Sequence, residues 1–304
     1  MVATTLHRAN RLLQCDPGGS PDAGKGPGAG FRFFQVSAWP DVRETYGLLH
    51  ACYLRKGLID PDPTGLRYTH YNLLPSSATF GARARGRVVA TFSLIPDTPG
   101  FGLPMDALYG RELDPLRREG RKPGEISGLA VDPGYRAVSL LLILNLVRML
   151  HAYSSRLDLT DLVVACHPRH ARMYERMFLF EPFGPVRTYR AVNDAPAVAL
   201  RLDLVGVQER YRAAFGDGDG LYRFFFLDRV LDYPDTALRE GAFSQDVIRR
   251  LLSLRPALAD VLESREPGLV ERLTGWRSRA ARRFFEHVRL TAGSVPAAPA
   301  FLPA

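Results

Sequence analysis

Glu125 lies in the run Gly124-Glu125-Ile126-Ser127-Gly128-Leu129-Ala130-Val131, a segment of strand character lined mainly by apolar side chains. A carboxyl group in such surroundings loses hydration of its charged form. Its pKa therefore rises, and it becomes a better base near neutral pH. Three residues on, Gly128 is unusual in mid-strand, where glycine weakens pairing and marks a bulge or a close backbone approach by a ligand. A bulge there would splay the sheet and free the amides of Leu129, Ala130 and Val131. A second segment, His167-Pro168-Arg169-His170-Ala171-Arg172-Met173-Tyr174-Glu175-Arg176, opens a short helix. Its Tyr174 phenol can deliver a proton, and His167 stands at the end of the preceding strand. A base, an acid and a row of free amides suit a transfer in which a nucleophile loses a proton while a leaving group gains one. Each residue also has a plainer reading: a strand-edge glutamate in an ion pair, a glycine under a large neighbour, a half-buried core tyrosine.

Other constellations fare worse. Cys166 and His167 are neighbours on a strand and face opposite sides, which argues against a nucleophilic pair. His167 and His170 have a loose metal spacing without a third ligand, so no metal is expected. Asp217-Gly218-Asp219-Gly220 begins like a calcium loop, but Leu221 and Asp228 break the pattern, and a solvated turn is expected.

The elements around these residues follow from periodicity and punctuation. Residues 15–30 are rich in Gly, Pro, Asp and Ser and read, with the residues before them, as a flexible arm over 1–30. Phe31 to Ala38 reads as a strand. Pro40 to Lys56 carries apolar residues at helical spacing, with Pro40 near the helix start. A Pro-rich loop covers 57–76. Ala78 to Arg83 and Arg87 to Pro96 form a hairpin around Ala84-Arg85-Gly86. Pro104 to Glu119 is partly helical. Then come the Glu125 strand, a helix from Ser139 to Arg156, a strand from Asp161 to Cys166 and a short helix from Arg169 to Met177. Phe180 to Val192 reads as a loop with at most a short strand, and Ala197 to Leu204 as a closing strand. The order predicts an α+β domain over 31–204 with one central mixed sheet flanked by helices. Beyond Val205, segments near 206–215, 220–232, 244–254, 256–263 and 267–290 read as helices, giving a helical C-terminal extension over 205–304.

Composition sets the class. The chain has 304 residues, 46% of them hydrophobic, enough for one sizeable core and a smaller unit. Cys15, Cys52 and Cys166 are too few and too scattered for a disulfide framework, so a reduced, cytoplasmic setting is expected. Residues 1–14 lack the apolar centre of a secretory signal. The longest apolar run, Ser139 to Leu150, is interrupted by Asn145 and Arg148 and reads as a buried helix. The formal net charge of +8 favours acidic partners. Zinc-finger spacing and aromatic RNA-binding signatures are missing, so nucleic acid is not expected among them.

Taken together, residues 31–204 resemble the long-chain N-acyl amino acid synthases, a branch of the GNAT-like acyltransferases related to acyl-homoserine-lactone synthases. The matching pieces are Gly57-Leu58-Ile59-Asp60, Gly102-Leu103-Pro104-Met105-Asp106, Gly124 to Val131, His167 to Tyr174, and Ala195-Pro196-Ala197-Val198-Ala199-Leu200. The resemblance implies an acyl carrier protein thioester as donor and an amino acid as acceptor. The acyl-4'-phosphopantetheine of the carrier would be a co-substrate, with no tightly bound cofactor. It further implies Glu125 as base, Tyr174 as acid, His167 near the acceptor, and Gly128, Leu129, Ala130 and Val131 along the pantetheine arm. The coenzyme A loop of GNAT enzymes reads Arg/Gln-x-x-Gly-x-Gly/Ala, whereas here Arg136 is followed by Ser139 and Leu141 at the glycine positions. Leucine obstructs the backbone approach to a pyrophosphate at the helix start. A carrier-bound arm has one phosphate, which Arg136 and Ser139 are expected to hold. Lactone-forming relatives often have arginine where Gly128 stands.

Two other readings keep the same fold: a coenzyme A-dependent short-chain N-acetyltransferase, and a non-catalytic module that binds lipid or carrier protein. In the tail, Arg272, Arg277, Arg279, Arg282, Arg283 and Arg289 alternate with Trp276, Phe284 and Phe285. Such a helix suits docking to a carrier protein or peripheral contact with an anionic membrane, beside its plain reading as a solvated basic face.

Overall fold

A computed structural model describes residues 30–216, 220–227 and 238–276. Seven strands form one sheet in the order β1-β2-β3-β4-β5-β7-β6. They are β1 (Phe31–Gln35), β2 (Ala78–Ala84), β3 (Arg87–Pro96), β4 (Pro123–Val131), β5 (Asp161–Cys166), β6 (Glu181–Tyr189) and β7 (Ala195–Asp203). Only β4 and β5 pair in parallel; every other neighbour is antiparallel. The β2–β3 hairpin turns on Arg85 and Gly86, both at positive φ, as a tight turn matched to strand twist requires.

Helix α1 (Trp39–Arg55) starts with Pro40 in its first turn and has Asp41 at its positive end and Arg55 at its negative end. It packs over β3 and β4 through Leu49 and Cys52, beside Ala130. Helix α2 (Asp106–Arg118) covers the same face through Tyr109, Leu113 and Leu116, against Ile95, Val163 and Ala199. The opposite face is covered by α3 (Ser139–Arg156) and α4 (Pro168–Phe178), which bury Leu142, Leu146, Leu150, Met177 and Phe178 against Phe80, Phe92, Ile126 and Leu162. The stretch Pro133–Arg156 is apolar and long enough to cross a bilayer, but half of its apolar window is buried in the protein. That matches a core helix.

Beyond β7, helix α5 (Val207–Phe215) and the helical turn Gly220–Leu227 join the α3–α4 core through Tyr211, Leu221, Tyr222 and Phe224. Helices α6 (Gln245–Leu254), α7 (Ala257–Arg265) and α8 (Leu269–Thr274) pack on the Leu66–Leu74 segment and on Val42 and Tyr46 of α1. Ser244 caps α6 by accepting from the Val247 amide at 3.4 Å. The N-terminal arm up to residue 29, the Asp217–Asp219 part of the calcium-like turn and the basic stretch from Arg277 onward lie outside the described residues.

One expectation needs correcting. The region read as mostly loop, Phe180 to Val192, contains a full strand, β6, at the sheet edge. Pro182, Gly184 and Pro185 disguise it. An edge strand tolerates proline because its outer N–H groups have no ladder partner, and the register shifts beside Pro182 and Gly184 accommodate the rest. Gly184 also leaves room for the Tyr109 ring, which an added Cβ would meet at 2.7 Å.

The parallel β4–β5 pair is the feature that positions the site. It holds only from Pro123–Asp161 to Glu125–Val163, after which the two strands part. The closed end is fixed by ions. Asp161 is fully buried, and its two oxygens accept from Arg121 Nε and Arg201 Nε, both at 2.6 Å. Arg121 also reaches Asp203 at 2.7 Å.

Candidate active site

Glu125 is the last β4 residue to face β5, so it sits at the fork where the sheet opens. It is 3% exposed. Its Oε2 accepts from the Met105 amide at 2.7 Å. Burial pushes its pKa up to about 8, opposed by the Met105 hydrogen bond and reinforced by the nearby Asp106 carboxylate. Met105 is held in place by its own loop. The Asp106 carboxylate accepts from the Leu103 amide at 2.6 Å, and Arg117 ties Asp106 to Asp97 at 2.7 and 2.6 Å. Gly102 adopts a positive φ there, and a side chain at that position would collide with the Asp106 carboxylate.

Past the fork, β4 runs on with a free edge. Between β3 and β4, Ser93 faces Ser127 and Thr91 faces Ala130, so a step of two residues on β3 spans three on β4. This is a bulge, and Gly128 sits in it at φ +67. Leu129, Ala130 and Val131 keep their pairing toward β3 or lie in the bulge, and none pairs with β5. An extended amide-containing arm can add to that edge as a strand would.

Tyr174 approaches from the other face, on α4. It is 6% exposed and packs edge-on against Phe180. Burial holds its phenol well above the ordinary pKa, with Cys166 and Tyr53 in electrostatic reach, so it is a neutral proton donor. Among the described residues its hydroxyl makes no hydrogen bond. Beside it a narrow apolar cavity runs between Ile126, Leu150, Leu202, Phe178 and Phe226.

His167 caps α4: its Nδ1 accepts from the Arg169 amide at 3.2 Å. That engages Nδ1 and leaves Nε2 for other contacts. Arg136 is exposed on the turn before α3, and the Ser139 hydroxyl donates to the Arg136 carbonyl at 2.9 Å. Leu141 is buried in the first turn of α3. Among the described residues there is no cluster of three metal-ligating side chains.

The N-acyl amino acid synthase FeeM family profile matches residues 44–203, which contain the whole fork. The chain belongs to this family. It is an N-acyltransferase with a GNAT-like fold. Among solved structures it is similar to FeeM, an N-acyl amino acid synthase from uncultured soil microbes, at 25% identity and a TM-score of 0.53. That match covers 59% of this chain and 93% of FeeM. Looser likenesses include the acyl-homoserine-lactone synthase LasI, at 16% identity and a TM-score of 0.46 over 67% of this chain and 98% of that one. A third is a putative N-acetyltransferase from Lactobacillus plantarum, at 11% identity and 0.39 over 57% and 98%. No curated protein sequence matches the chain.

Sequence reasoning did not reach the rim of the site in this N-acyl amino acid synthase family member. Tyr53 from α1, Tyr71 from the turn His70–Leu73 and Tyr189 from the end of β6 all feel the Glu125 charge, and burial raises the pKa of all three. The Tyr71 hydroxyl points at the Phe101 and Leu103 carbonyls at 3.5 and 3.4 Å, and that of Tyr189 donates to Pro104 at 3.0 Å. The one sequence signal for this wall was the Gly102–Asp106 motif, which supplies the Met105 amide.

Proposed function

We propose that this protein moves a long acyl chain from the phosphopantetheine thioester of an acyl carrier protein to the α-amine of an amino acid. The observation that carries the reading is Glu125, a buried carboxylate at the fork of a split sheet, with a free amide edge beside it and an apolar cavity on the opposite face. The pantetheine arm pairs along Gly128 to Val131, and the acyl chain follows the cavity past Ile126 and Tyr174. Glu125 takes a proton from the acceptor ammonium, so the free amine attacks the thioester carbonyl. The tetrahedral intermediate then collapses as the C–S bond breaks, Tyr174 protonates the departing thiolate, and the second proton shed by the new amide nitrogen restores the Tyr174 phenol. His167, fixed by its capping bond, keeps Nε2 for contact with the acceptor.

Support for a carrier-bound donor over coenzyme A comes from the start of α3, where Leu141 occupies the place of a cradle glycine and leaves Arg136 and Ser139 for one phosphate. The net charge of +8 favours an acidic carrier, and the free Cys52 and Cys166 suit a reducing compartment. The basic stretch from Arg277 is the proposed contact to carrier or membrane.

Purified protein offered palmitoyl-carrier protein, palmitoyl-coenzyme A and acetyl-coenzyme A with the twenty amino acids tests this directly. Long-chain N-acyl amino acid from the carrier donor is the expected product, detected by mass spectrometry. Efficient turnover with acetyl-coenzyme A alone would overturn it.

Tyr174→Phe separates the acid from a mere core residue. We expect a kcat loss of about 10- to 100-fold, with stability changed by only about 0.5 kcal/mol because the hydroxyl has no described partner. A donor with a more acidic thiol leaving group should recover most of the loss. Equal loss with both donors would rule out proton delivery by Tyr174.

A further inference from the structure

Arg67 is the residue of the site that the catalytic steps do not use. It lies in the extended segment between α1 and the His70–Leu73 turn, where its amide donates to the Tyr46 carbonyl at 3.1 Å. Its guanidinium lies over the Tyr53 ring, 4.7 Å from the centroid. One Nη2–H donates to the Ala191 carbonyl at 3.2 Å. Among the described residues no carboxylate is within ion-pair distance. Two acids of the same loop are engaged elsewhere: Asp62 with Arg255 at 2.7 Å, and Asp60 as acceptor from Asn193 at 3.4 Å. The titratable groups that face Arg67 are the Tyr53 and Tyr189 phenols and a second cation, Arg255.

A half-buried cation beside another cation is unfavourable unless an anion arrives. The face of the guanidinium is taken by Tyr53, while most of its five N–H donors have no described partner. That leaves the planar fork available for a planar, two-oxygen acceptor. Hydrogen bonds link this cation to the base: Arg67 reaches the Ala191 carbonyl two residues past Tyr189, the Tyr189 hydroxyl donates to the Pro104 carbonyl at 3.0 Å, and the next residue, Met105, donates its amide to Glu125.

We propose that Arg67 binds the α-carboxylate of the acceptor, with Glu125 facing its amine, so that the site selects α-amino acids over simple amines. This rests on the proposed acyl transfer for its catalytic readout. An ammonium and a carboxylate on one carbon would then be read by opposite charges from different segments, and register would be set before the thioester is attacked. Burial of Arg67 lowers its own pKa, which makes a bound carboxylate the more favourable partner.

The test compares acceptors in pairs that differ only by the carboxylate: L-phenylalanine with phenethylamine, L-leucine with isoamylamine, L-tyrosine with tyramine. Wild type should prefer the amino acid of the best pair by about 10- to 100-fold in kcat/KM, the range set by a charged hydrogen-bonded pair. Arg67→Ala should abolish the preference by lowering kcat/KM for the amino acid, chiefly through KM, to the level of its matched amine. Arg67→Lys should restore part of it, and circular dichroism should match wild type for both variants. A wild type that uses amine and amino acid equally overturns the proposal. So does an Arg67→Ala loss of kcat that is the same for both members. Calorimetric binding of the six acceptors without donor keeps the two readings apart. If wild type makes no N-acyl product yet binds amino acids through Arg67, the acyl-transfer reading falls and the anchor stands. If it makes no product and binds none of them, both fall.

Discussion

Glu125→Gln should abolish most acyl transfer while making the protein more stable in mild alkali. The catalytic half follows from the position of the carboxylate at the fork and from its hydrogen bond to the Met105 amide. Glutamine keeps an oxygen for that amide but cannot take a proton from the acceptor. A loss of about 10²- to 10⁴-fold in kcat is expected for a general base. Because the pKa of Glu125 stands at about 8, kcat/KM for wild type should rise with pH through that value as the carboxyl ionises. The variant should lack this limb. The stability half has the opposite sign to that of a salt-bridged carboxylate. The folded pKa is raised from 4.5 to about 8, so the folded state holds its proton more tightly than the unfolded chain. Its stabilising contribution is complete below pH 4.5 and is lost as pH rises toward and through 8. Glutamine mimics the protonated form at every pH. Thermal melts of the two proteins should therefore agree at pH 4.5 and diverge above it, with the variant melting higher at pH 9. A variant that melts lower at pH 9, or retains wild-type turnover, would remove Glu125 from the role of buried base.

Parts of this site were legible in the chain because their signals are local. A carboxylate among apolar strand residues, a glycine where a strand should not have one, and a tyrosine on the short helix that follows a strand can be read within a dozen residues. The bulge at Gly128 and the burial of Glu125 are their physical counterparts. The tyrosine rim and Arg67 were not legible, because no local pattern joins them. Tyr53, Arg67, Tyr71 and Tyr189 come from a helix, a loop, a short turn and the end of an edge strand, and only the strand order brings them to Glu125. That edge strand was itself hidden by two prolines that an interior strand would not accept. His167 shows a different limit. Its residue type suggests acid–base work, but its ring nitrogen is taken by a helix cap, which sequence alone weighs poorly against catalysis.

The fork depends on a contact at the closed end of the ladder. β4 and β5 need to be tightly joined on one side of Glu125 and apart on the other, and side chains decide where the join ends. Asp161 pairs with Pro123 at the start of the short parallel ladder, is fully buried, and is shared by Arg121 and Arg201. Arg121 stands two residues before β4, while Arg201 comes from β7, so one carboxylate fastens three segments. The hydrogen bonds to Asp161 are the leading reason that the pKa of Arg121 is raised. Asp161→Asn keeps the shape but removes the buried charge, leaving Arg121 and Arg201 with a neutral amide and the half-exposed Asp203 carboxylate as their partners. Truncating one member of a buried ionic set costs about 3–5 kcal/mol. Because both arginines retain 20–26% of their side-chain exposure, solvent should screen part of this, and a loss of about 2–4 kcal/mol is expected by urea denaturation. Neither catalytic group is touched, so the same variant should lose transfer activity only as the fork loosens. Activity should recover with the melting temperature when a bound acyl donor is in excess, since a ligand held by the folded state shifts the equilibrium toward it. Unchanged stability in Asp161→Asn would mean that the ladder from Pro123 to Glu125 holds without the ionic clasp, and that the apolar layers on either face of the sheet set the fork by themselves.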